Sequence, residues 1–220
     1  MKIALSVLLF VFSFSLSAQQ HLIGIKGGIL SSGVNNLTGN HSLLAITDNL
    51  NSYSVGISYD FILKNKITFG IGVSYSEKGF SNGMCHQPID CFPKYICYTS
   101  YNLTNQYFSA PISVGYQFGT KTYFDIHTGA IPSLINHSRM DVRNEDGEWV
   151  GYYSESNYYR NDAELSLFLE LGVGYRFNNG IRTYFSYMYQ QSVNEIEWWV
   201  DENNSYIYGL SFSFGIQYEL

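Results

Sequence analysis

The chain has 220 residues, 12 of them basic and 18 acidic, and a net charge of −6. That balance argues against nucleic acid as a partner, because phosphate binding needs clustered Lys and Arg. Only 14% of the residues are charged while Phe, Trp and Tyr make up 17%, a poor surface for a soluble exported domain.

Residues 1–18 read as a cleaved signal peptide. Lys2 supplies a short positive start, and Ile3 to Phe14 form an apolar core too short to span a bilayer as a helix. Ser15-Leu16-Ser17-Ala18 then gives a small-residue exit, with cleavage expected between Ala18 and Gln19. Residues 19–220 form one domain, in which no segment approaches the roughly 20 apolar residues of a membrane helix.

That domain alternates with period two, the pattern of strands with two unlike faces. The first strand carries Ile23, Ile25, Gly27 and Ile29 on one face, and the second Tyr53, Val55, Ile57, Tyr59 and Phe61. The third carries Ile67, Phe69, Ile71, Val73 and Tyr75, and the fourth Phe108, Ala110, Ile112, Val114, Tyr116 and Phe118. A shorter fifth follows with Phe124, Ile126, Thr128 and Ala130, then a sixth with every second residue from Ala163 to Phe177. The seventh runs from Ile181 to Tyr189 and the eighth from Tyr206 to Tyr218. None of these positions is Asp, Glu, Lys or Arg, whereas the opposite faces are mostly Gly and Ser with occasional charges.

A soluble barrel would turn the apolar face inward and leave Gly and Ser to meet water, where Lys and Glu are usual. A membrane barrel turns the apolar face to lipid and lines its interior with small polar residues. Ring placement favours the second. Tyr53, Tyr75, Tyr187 and Tyr206 fall near one strand end and Phe61, Phe118, Phe177 and Tyr218 near the other, as two membrane–water interfaces select. The reading is an all-β, eight-stranded antiparallel up-and-down transmembrane β-barrel in the cell outer membrane, with membrane lipid as its first partner.

The connections alternate as such a barrel requires. Short turns are expected at 63–65, 119–121 and 178–180, and long outer loops at roughly 31–51, 77–105, 136–161 and 191–204. Phe177 and Ile181 must point the same way, so Asn178-Asn179-Gly180 fits a three-residue hairpin with Gly in the left-handed region. Pro111 removes a ladder donor in a sheet without edges. With Pro132 nearly opposite, it predicts a bulge or frayed ladder near the outer rim.

Three short stretches resemble the PorT-like family of small outer-membrane β-barrels. They are Gly24-Ile25-Lys26-Gly27-Gly28-Ile29, Tyr75-Ser76-Glu77-Lys78-Gly79-Phe80 and Tyr107-Phe108-Ser109-Ala110-Pro111-Ile112. Leu30 and Ser109 depart from the polar and acidic residues usual at those places. The resemblance implies fold and location; the secretion and gliding role associated with the founding type is not carried over.

Lys26, Asp60, Asp125, His127, Glu164, Glu170, Arg176, Arg182 and Glu219 fall on the expected interior face. Eight strands leave a lumen that side chains nearly fill, so these charges read as an internal ion-pair plug, with a narrow polar channel as the alternative. Arg182 and Glu219 are the pair best placed to meet. Asp125 and His127 suggest acid–base chemistry but stand about 7 Å apart along a strand, and no catalytic motif frames them. No enzyme activity, cofactor or metal is expected.

Cys85, Cys91 and Cys97 stand at a spacing wider than metal-binding cysteine pairs. They predict one disulfide, with the third cysteine free, lipidated or joined to another chain. The outer loops are acidic and aromatic, notably at Trp149, Tyr152, Tyr153, Trp198 and Trp199. Such rings either contact an envelope or extracellular protein or a glycan, or pack on one another.

A folded barrel resists SDS at room temperature. The unboiled protein should therefore run anomalously on a gel and shift on boiling; identical mobility before and after heating would refute the barrel.

Overall fold

The computed structural model describes residues 18–36, 47–83, 98–144, 149–154, 163–194 and 205–220. Its strands are β1 (Ala18–Asn36), β2 (Thr47–Leu63), β3 (Ile67–Gly83), β4 (Tyr98–Ser109), β5 (Ile112–Gly119), β6 (Thr122–Asn144), β7 (Trp149–Ser154), β8 (Ala163–Arg176), β9 (Ile181–Ser192) and β10 (Ser205–Glu219). All pairings are antiparallel. The ring runs β1–β2–β3, then β4 and β5, then β6–β8–β9–β10, and closes where β10 pairs with β1 from Leu22↔Glu219 to Asn36↔Ser205. β4 and β5 are two halves of one stave, and β7 is a short addition to β6, so the ring has eight staves.

The faces sort as the alternation requires. Ile25, Val73, Phe185 and Phe212 are 60–66% exposed on the outside, whereas Ser166, Ser186, Ser211 and Ser213 are buried within. Phe61 differs from its neighbours: it is covered and stacks on Phe69 at 5.2 Å. No helix among the described residues is long and apolar enough to cross a membrane.

The turn at 178–180 has the expected geometry. The Phe177 amide donates to the Ile181 carbonyl at 2.8 Å, and Gly180 has φ 81°. At the turn after β2, Leu63 belongs to the strand, and Lys66 takes the left-handed position with φ 67°. Gly119 does so before the turn into β6.

The structure narrows two expectations. At Pro111 the frayed alternative holds and the bulge does not: the strand breaks at 110–111, but Ser109↔Ser133 and Ile112↔Ala130 keep the same count on both sides. Its carbonyl still accepts from Gly72 at 3.0 Å, and the Ala110 amide donates to the Pro132 carbonyl at 2.9 Å. Proline thus removes one donor without shifting the register. The bulge lies four residues earlier, where Gln106↔His137 is followed by Tyr107↔Ile135 and Asn136 is left over. An extra residue reverses the faces of β6 beyond it.

The long connections are also shorter than expected. β3 and β4 stay paired from Ser74↔Ser109 to Gly83↔Ser100, and β6 continues to Asn144 and pairs with β7. Much of 77–105 and 136–161 is therefore strand, in which Glu77, Asn102, Thr104 and Gln106 replace the apolar outer face. These residues form a polar collar above the lipid band. Glu77 accepts from Tyr75 at 3.0 Å and from Gln106 at 3.3 Å, which marks the upper belt.

Inside the ring, side chains lean across the ladder onto glycines of the next stave. A Cβ at Gly174 would meet the ring of its partner Tyr123, one at Gly215 the ring of Tyr184, one at Gly172 the carboxylate of Asp125, and one at Gly70 that of Asp60. The glycines provide room for large groups in a narrow lumen. Gly215→Val should therefore destabilise the barrel by about 1–3 kcal/mol through overpacking, and adding Tyr184→Ala should restore most of it. Urea unfolding of both variants followed by gel mobility measures this.

Candidate functional site in the lumen

The interior charges are arranged in tiers along the barrel axis. At the short-turn end, Glu219 on β10 receives Arg176 at 2.8 Å and Arg182 at 3.3 Å, and Arg182 also donates to Gln20 at 2.5 Å. In the middle, Lys26 on β1 reaches both oxygens of Glu170 on β8 at 3.1 Å. Toward the loop end, Lys78 on β3 meets Glu164 on β8 at 2.6 Å, both side chains 2% exposed. β1 and β3 each stand three staves from β8, so both lysine bridges span the lumen.

The upper bridge has further partners at Glu164 Oε1 and at the Lys78 ammonium. Ser166 donates to Glu164 at 2.6 Å, and the Lys78 ammonium lies 4.4 Å from the centre of the Tyr107 ring. Leu30, Phe80, Leu103 and Ile207 are buried at 1–3% exposure and belong to the apolar part of the interior. A buried lysine needs this pairing, since an isolated charge in a water-poor interior is costly.

Below it lies a cavity of about 130 Å³ whose walls include Lys26, Asp60, Asp125, His127, Glu170 and Tyr184. Asp60 accepts from Gln217 at 2.8 Å and from Ser58 at 3.0 Å. Asp125 and His127 are 3.9 Å apart, and among the described residues no nucleophilic side chain hydrogen-bonds to that histidine. No group of three His, Cys, Asp or Glu among the described residues is placed to hold a metal ion.

The structure places the nine charged residues named from the sequence on inward-facing strand positions, Arg176 at the rim with its side chain 38% exposed. Lys78 was missed because the apolar alternation of its strand ends at Tyr75, although it keeps the even parity of the inward face. Tyr107, Tyr123 and Tyr184 were missed because the inner face reads as Gly and Ser, and rings among them carry no period of their own. Cys85, Cys91, Cys97, Trp198 and Trp199 lie outside the described residues. Trp149, Tyr152 and Tyr153 belong to β7, with Tyr152 opposite Asp141 and Tyr153 opposite Met140.

The family described as outer membrane protein beta-barrel domain matches residues 17–197, and the chain belongs to it. No curated protein matches the sequence. Among solved structures, OprG of Pseudomonas aeruginosa is similar at 10% identity and TM-score 0.48, covering 92% of this chain and 97% of its own. Neisserial surface protein A matches at 14% identity and TM-score 0.45, over 90% of this chain and 97% of its own. Ail of Yersinia pestis matches at 12% identity and TM-score 0.42, over 91% of this chain and 100% of its own.

Removing one member of the upper bridge strands the other in the interior. Glu164→Gln or Lys78→Met should each destabilise the barrel by about 3–5 kcal/mol, while Lys78→Met with Glu164→Leu should recover most of that loss. Denaturant titration of the three variants in one detergent is the check.

Proposed function

We propose that this outer-membrane barrel is a closed-lumen envelope protein whose role is structural or partner-binding, exercised through its outer loops. The observation that carries this reading is the pair of bridges, Lys26–Glu170 and Lys78–Glu164, crossing the lumen at two heights. Fully buried Tyr107 and Leu103 add to the obstruction. With the lumen occupied by its own side chains, the surface left for recognition is beyond the polar collar. The β6–β7 pair carries Trp149, Tyr152 and Tyr153 there, and in the sequence Trp198 and Trp199 follow β9. Rings of this kind suit an envelope or extracellular protein, or a glycan.

The second reading is a porin-like small-solute channel, favoured by the cavity of about 130 Å³ in the lumen with Lys26, Asp60, Asp125 and Glu170 in its walls. Within the family, the three motifs support a PorT-like branch, and residues 1–18 are proposed as the signal peptide, so that the purified protein has Gln19 at its N-terminus by mass spectrometry.

Single-channel recording in planar bilayers separates the two readings. The closed lumen gives no openings, and steady openings of the native protein would replace it with the channel.

A further inference from the structure

The middle of the lumen carries more negative charge than its side chains neutralise. Lys26 is engaged with Glu170 through both oxygens. Among the described residues, Asp60 accepts hydrogen bonds from the neutral groups of Ser58 and Gln217, and Asp125 lies 3.9 Å from His127. Among the described residues, neither aspartate has a Lys or Arg within ion-pair distance. Arg182, at the short-turn end, is taken by Glu219 and Gln20. Like charges held away from bulk water need a counter-charge or a proton.

A separate observation points to an occupant. Among the described residues, the Tyr123 hydroxyl and Thr68 Oγ1 have no hydrogen-bond partner, although their residues are only 2% and 4% exposed. Both residues line the same cavity as the two aspartates. Buried hydroxyls are normally satisfied, and an oxygen without a protein partner can serve a cation or its water. The cavity of about 130 Å³ has room for several waters at roughly 10–15 Å³ each. A tightly chelated divalent ion fits poorly, because no three acidic, His or Cys ligands converge among the described residues.

We propose that the lumen binds a hydrated monovalent cation, with Asp60 and Asp125 supplying the charge and the hydroxyls of Tyr123 and Thr68 supplying neutral oxygens to the ion or its water shell. This does not rest on the closed-lumen reading, since an open pore would hold the same ion in transit.

The test uses thallium(I), a potassium-sized cation with strong anomalous scattering, on crystals and in titrations of the purified protein in detergent. N-methylglucamine keeps ionic strength constant. The expected result is an anomalous peak in the cavity beside Asp60 and Asp125, and a calorimetric affinity that Asp125→Asn lowers by about tenfold or more. Tyr123→Phe preserves every charge and should weaken binding less, which keeps the test usable if Asp125→Asn fails to fold. A cavity without thallium at saturation overturns the proposal, as does an affinity that both variants leave unchanged. Loss of a protonated-carboxyl infrared band in Asp125→Asn, with no thallium bound, would identify a proton as the counter-charge and equally overturn it. Bilayer recording of the same preparation scores the closed lumen separately: openings with thallium bound reject that reading alone.

Discussion

Hydrocarbon offers no hydrogen-bond partners, so every backbone N–H and C=O within the membrane must be satisfied by the chain itself. The long pairing of β1 with β10 meets that demand by leaving the sheet without an edge. Once the ring is closed, the outside can be apolar without aggregating, and the polar half of each strand has nowhere to go but inward. The lumen, with its bridges and glycines, is the consequence.

Eight staves make that interior narrow, and its contents interlock by size. Tyr123 lies over Gly174 and Tyr184 over Gly215 because the facing residue has no side chain to displace. The ions follow the same economy of space. Lys78 is tolerated at 2% exposure because Glu164 is within 2.6 Å and the Tyr107 ring lies beneath its ammonium. The glycines and serines of the inner face are thus the spacing that lets a few large or charged groups cross the lumen.

The sequence displayed the membrane band more clearly than the strands. Alternation of apolar residues records contact with lipid, so it stops at Tyr75 and Phe108, although the ladder between β3 and β4 runs on to Gly83↔Ser100. Beyond that line the outer face turns polar while the inner face carries Phe80 and Leu103, so period two no longer marks the lipid side. The same blindness hid Lys78, and nothing local announces the leftover Asn136, which depends on how two distant strands align. Pro111 drew attention as the obvious irregularity, yet its neighbours hold register. By contrast, the hairpin at 178–180 was readable because parity and turn chemistry restrict it together. The meeting of Arg182 with Glu219 was readable because adjacent strands end there. The opposed lysine bridges were not, since partners separated by 86 and 144 residues have no shared local signature.

Those separations bear on how the barrel enters a bilayer. Lys26 and Lys78 belong to the first three staves, and both of their counter-ions reside on β8, near the end of the chain. An insertion that proceeded one hairpin at a time from the N-terminus would carry two bare ammonium groups into a low-dielectric slab before either acid arrived. Late-arriving β8 therefore acts as a keystone: the assembling sheet must keep its concave side wet until that strand is in place, which favours concerted rather than stepwise descent.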